Sequence, residues 1–180
     1  MQYRIKNIGA FYLLLLPLFF CSSAISGGQG EGRVNMQGAI IDTACAIATE
    51  SREQVIDMSV TPLADIIRDG RGRTVKFNIY LINCVLERSN PALPDWRQFQ
   101  VTFDGNAEGE LFGVAGDVSG VALRISDADG NIARPGIPLP LRDLVAGNHR
   151  LDFALDLIAN HRPLKAGSYF SSVRFKMDYY

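Results

Sequence analysis

From Val173 to Tyr179 the chain alternates without interruption. Val173, Phe175, Met177 and Tyr179 share one parity, and Arg174, Lys176 and Asp178 share the other. A period of two over this length predicts a β-strand with one buried face. Each of those apolar side chains gains roughly 1.5–3 kcal/mol when fully buried, so a strand carrying four of them has to be covered. Two sources of cover are open. The chain closes over the strand itself, as in a complete β-sandwich, or another molecule supplies what is missing.

The other end of the chain sets the compartment. Residues 1–26 have the layout of a secretory signal: Arg4 and Lys6, an apolar core over Ile8–Cys21, then Ser22-Ser23-Ala24-Ile25-Ser26. Cleavage after Ala24 or after Ser26 satisfies the small-residue requirement, and the apolar run is too short to span a bilayer, which takes about 20 residues. Removing 26 residues leaves 180 − 26 = 154, one domain with a real core, and a net charge of 16 − 19 = −3. Cys21 leaves with the signal. The remaining pair, Cys45 and Cys84, in an exported chain reads as one disulfide.

Between these ends the sequence is a series of short strands and turns. Residues 38–47 read as the first strand, Val55–Met58 as a short one, and Leu63–Ile67 as a helical turn ended by Asp69-Gly70 and Gly72. Val75–Cys84, Phe99–Phe103, Val121–Ile125 and Leu151–Ile158 follow as strands, with Phe77, Ile79 and Leu81 on one face of the first of these. Gly109–Gly120 is irregular, and Pro135, Pro138 and Pro140 exclude a mid-sheet strand there. This pattern predicts an all-β sandwich in a single domain.

No reactive constellation stands out. Asp127-Ala128-Asp129-Gly130-Asn131 lacks the closing glutamate of a calcium loop and reads as a turn. His149 and His161 have no partner at ligand spacing and read as exposed loop residues, and Trp96 beside prolines reads as a packing plug. The chain carries no Gly-x-Ser-x-Gly elbow, no spare cysteine, and no basic patch interleaved with aromatics. The expectation is a non-enzymatic protein without cofactor, metal, nucleic-acid partner or small-molecule substrate.

The alternating C-terminal strand, with Tyr179 next to last and Gly167 fourteenth from the end, resembles the pilins of the chaperone–usher pathway. The lead Gly27–Met36, with glycines at 28, 30 and 32 and with Val34 and Met36 on the same parity, is similar to the donor extension of those subunits. The resemblance implies an incomplete immunoglobulin-like sandwich of six strands that lacks its last strand, with Cys45 and Cys84 tying its first two strands. It divides the chain into a signal peptide (1–26), a donor-strand extension (27–37) and a pilin domain (38–180).

It also implies a mechanism. The groove beside Gly167, Val173, Phe175, Met177, Tyr179 and Tyr180 is filled first by a periplasmic chaperone, whose basic residues hold the Tyr180 carboxylate, and later by a neighbouring pilin. Gly30, Gly32, Val34 and Met36 would fill the next subunit's groove in turn. Partners are then the chaperone, an outer-membrane usher and other pilins, and the destination is a fimbria at the bacterial surface.

Val55–Met58 with Thr61, Pro62 and Asp65, then Val101–Gly105, Gly130–Arg134, Lys165–Phe170 and Met177–Tyr179, resemble the member of the family that terminates growth and anchors the rod base. In that member the groove lacks the pocket where an incoming strand starts to exchange. The lead resembles rod subunits instead, which keeps an ordinary rod, minor or adaptor pilin open as the alternative.

Overall fold

A computed structural model of the protein describes residues 33–38 and 40–180. The signal region and the donor glycines Gly30 and Gly32 lie outside the described residues. Two compact units divide at Ala39/Ile40. In the first, the described residues Val34 and Met36 are 80% and 89% exposed.

The second unit, Ile40–Tyr180, is an all-β sandwich. Its elements begin with β1 (Ala46–Ile47), α1 (Thr49–Arg52), α2 (Leu63–Asp69), β2 (Val75–Cys84) and β3 (Gln98–Gly105). Four short strands and one long one follow: β4 (Ala107–Glu108), β5 (Leu111–Phe112), β6 (Ala115–Gly116), β7 (Val121–Asp127) and β8 (Ile132–Ala133). The last are β9 (Arg142–Asp143), β10 (Gly147–Ala159), β11 (Tyr169–Phe170) and β12 (Val173–Tyr179).

One sheet runs β1-β2-β10-β7-β5-β4 with β8 beside β7, the facing sheet runs β12-β3-β9, and β11 pairs β6. The long strands form where period two is cleanest. Register places Leu151 opposite Ile79 and Phe153 opposite Phe77 between β10 and β2, and Leu155 opposite Ile125 between β10 and β7. One-residue slips would turn these sets outward, so burial holds the alignment. The two sheets meet through rings. Phe77 stacks on Phe153 at 5.3 Å between centroids, and Phe103 of the facing sheet meets Phe153 edge-on at 5.0 Å.

α2 ends where the sequence predicts. Gly70 adopts φ 69°, a left-handed cap that glycine takes without a Cβ clash, and its N–H donates to the Ile66 carbonyl at 2.9 Å. Cys45 and Cys84 are bonded, with Sγ–Sγ 2.08 Å, joining the approach to β1 to the end of β2.

Three expectations need correction. Among the described residues of 38–47 only Ala46–Ile47 forms a strand, because β2 offers ladder partners to that pair alone, at Ile82 and Leu81. Val55–Met58 is not a strand; its apolar residues line a cleft and it has no ladder partner among the described residues. His149 is not in a loop but in β10, opposite Leu81, with Nε2 2.6 Å from the Val145 carbonyl oxygen.

Candidate functional site: the open edge beside the last strand

β12 pairs antiparallel with β3 and, among the described residues, with no other strand. Its register sets Phe175 opposite Phe103, Met177 opposite Val101 and Tyr179 opposite Phe99. The β3 partners are buried, whereas Val173, Phe175, Met177 and Tyr179 are only half-buried. An apolar face that alternates correctly yet stays half open is a candidate seat for a further strand. Among the described residues no strand pairs with the outer edge of β12, whose main-chain donors and acceptors could take a further strand.

Across from β12 runs the segment 53–61. Ile56 and Met58 turn inward while Val55 is 98% exposed, and among the described residues no main-chain hydrogen bond ties 55–60 to another strand. The two walls therefore both carry unpaired backbone. Two recesses open along the segment 53–61. One, of about 520 Å³, is walled by Ile47, Ile56 and Phe175 over a floor of Phe77, Ile79 and Phe103. The other, of about 640 Å³, sits between Val55–Leu63 and residues 165–171.

The sequence-predicted residues fall as follows. Val173 and Phe175 line the first recess, and Gly167 lines the second. Gly167 also lies against backbone: a Cβ there would stand 2.6 Å from the Asp117 carbonyl carbon and 2.8 Å from the Val118 nitrogen. Met177 and Tyr179 continue the inward row, while Tyr180 is exposed at the side chain. Its main-chain oxygen accepts from the Arg97 and Gln98 N–H groups at 2.6 and 3.0 Å.

The opposite wall and the floor were not identifiable as site residues beforehand. Ile56 and Met58 read only as a strand, and Phe77, Ile79 and Phe103 read as ordinary core.

Electrostatically the groove is mild. Burial raises the Tyr179 phenol above its usual range, with Thr43 opposing. Burial, with the charge of Asp57 adding, raises that of Tyr169. The Tyr169 hydroxyl is buried without a hydrogen-bond partner among the described residues. The acidic turn is self-satisfied: the Asp127 carboxylate accepts from the Asp129 and Asn131 N–H groups at 3.0 and 2.8 Å and from the Asn131 side-chain amide at 2.8 Å. What the arrangement can do is seat an extended apolar strand by main-chain pairing and alternate side-chain insertion.

Comparison with known proteins agrees with that geometry. No family model matches the chain. The PRS and PAP fimbrial minor pilin proteins of Escherichia coli are each 36% identical over 152 residues, covering 83% of this chain and 77% of their own length. The major MR/P fimbria protein of Proteus mirabilis is 31% identical over 136 residues, 73% of this chain and 74% of its own.

Among solved structures, the P pilus rod subunit PapA superposes with a TM-score of 0.66 at 17% identity, over 77% of this chain and all of that one. A subunit of a chaperone–usher pilus gives 0.66 at 21% identity, over 87% of this chain and all of its own. Among the described residues a sandwich with one strand edge open and a Cys45–Cys84 bridge, together with relatives of this identity, leads to one conclusion: the chain belongs to the fimbrial pilins, on the fold of chaperone–usher pilus subunits.

Proposed function

We propose that this pilin is the minor subunit that terminates growth of its fimbria and anchors the rod base to the cell, without catalytic activity. It crosses the periplasm on a chaperone whose strand pairs with β12, is passed to an outer-membrane usher, and inserts residues 27–37 into the groove of the neighbouring rod subunit. The observation that carries the reading is the 36% identity over 152 residues with two minor pilins, against 31% over 136 residues with the major MR/P fimbria protein. The half-buried row on β12 supports the strand-pairing mechanism, because each of these side chains still has part of the roughly 1.5–3 kcal/mol of full burial to gain when a partner strand covers it.

One observation favours the alternative, a rod or adaptor pilin that accepts a further subunit. The recess of about 640 Å³ beside residues 165–171 leaves room for the side chains of an incoming strand. The deciding experiment is a strand-exchange assay. The chaperone-bound protein is incubated with a peptide of the rod subunit's N-terminal extension, and chaperone release is followed. A terminator keeps its chaperone over a period in which a rod subunit control exchanges fully. Release at the control's rate would establish the accepting role instead.

A further inference from the structure

The last strand has an end stop built from a loop outside the groove. Trp96 is 8% exposed and its main-chain N–H donates to the Leu86 carbonyl at 2.7 Å. The Arg88 guanidinium carbon lies 3.3 Å from the centroid of the indole, and the Tyr179 ring meets the same indole edge-on at 6.0 Å. Arg88 Nε is buried with no hydrogen-bond partner among the described residues, so the aromatic face is what holds the cation in place. The next two residues grip the chain end directly. Arg97 and Gln98 donate to the Tyr180 oxygen, and the Tyr180 N–H returns a bond of 2.8 Å to the Gln98 carbonyl.

Parity alone leaves β12 under-determined. A slip of one residue against β3 would turn Val173, Phe175 and Met177 to solvent and is excluded by burial. A slip of two keeps the apolar face inward, costs far less, and shifts every side chain by about 6.6–6.8 Å. It would also carry Tyr179 past the Trp96 ring. We infer that Arg88, Trp96 and Tyr179 act as a register clamp on β12, with Arg88 and Trp96 as positioning residues that fix which side chains face a partner strand. The inference rests on the reading of β12 as the pairing strand and assigns residues outside the groove to its control.

The test uses the full chain purified with its periplasmic chaperone, by backbone amide exchange. In Trp96→Ala the amides of residues 177–180 exchange at least about tenfold faster, while those of Ile79 and Phe153 change less than about twofold. Arg88→Met shows the same local acceleration and Arg88→Lys restores protection, a charge-dependent split that loss of packing alone would not produce. Unchanged exchange at 177–180 in both Trp96→Ala and Arg88→Met, or equal behaviour of Arg88→Met and Arg88→Lys, overturns the clamp. Should Trp96→Ala give no folded complex, the two Arg88 variants decide. Protection of 173–179 in the unmodified chain on chaperone binding tests the underlying reading separately, since its absence would sink that reading whatever the variants do.

Discussion

At Asp156 a carboxylate only 6% exposed is gathered in by residues far away in sequence. Thr74 Oγ1 donates to one oxygen at 2.5 Å, and Arg124, directly across the ladder, donates to the other at 2.8 Å. Burial works to raise this carboxyl, but the Thr74 and Arg124 hydrogen bonds and the charges of Arg124 and Arg71 outweigh it and hold it below the usual range. A carboxyl depressed in the folded state stabilises above its unfolded value and loses that contribution as pH falls through the folded one. Asp156→Asn should therefore cost about 2–4 kcal/mol at neutral pH. The deficit should shrink as pH falls below about 4, the ordinary carboxylate value, and urea titrations at several pH values measure it. A deficit independent of pH would mean that shape and not charge matters there. Nothing in the sequence joins Arg124 to Asp156, since outward charges on separate strands are common and only register makes them partners. Trp96, by contrast, is legible as a packing residue, though not its neighbours Arg88 and Tyr179.

Among the elements, β2, β3, β7, β10 and β12 were legible because each carries period two long enough to be unambiguous. The segments at 38–47 and 55–58 were not, although they are as apolar. A strand needs a ladder partner, and the groove leaves 55–58 without one among the described residues. β12 gives the sharpest prediction at this scale. Phe175→Glu or Tyr179→Glu places a charge on the face that the proposed chaperone strand would cover, at a cost of several kcal/mol for an unpaired buried charge. Chaperone capture should be lost and the periplasmic level should fall to near zero by immunoblot; wild-type levels of either variant would count against strand pairing. The proposed donor segment offers a second one. Val34→Asp combined with Met36→Asp should release the protein from the rod while leaving chaperone binding intact, which copurification with rod subunits checks. Undiminished copurification would exclude these two side chains as the plugs.

For the molecule as a whole, the Cys45–Cys84 bridge closes a loop of 39 residues, a constraint worth about 4 kcal/mol on the chain-entropy account. Replacing both cysteines by alanine should lower the unfolding free energy by about that amount in urea, and a loss under about 1 kcal/mol would show that the sandwich faces alone hold the two strands together. The bridge was legible because an exported chain with two cysteines has only one way to pair them. The sandwich class was legible too, since alternation and turn residues are local properties written in consecutive positions. So was the row Val173, Phe175, Met177 and Tyr179. What the chain alone determined, then, was that its last strand has an apolar face in want of cover. That the face stays half open, that Ile56 and Met58 stand across from it, and that Arg88 and Trp96 stack beside Tyr179 were decided by tertiary structure. Those facts depend on which strands become neighbours, and neighbours are chosen by the burial of the entire sandwich, not by any one stretch.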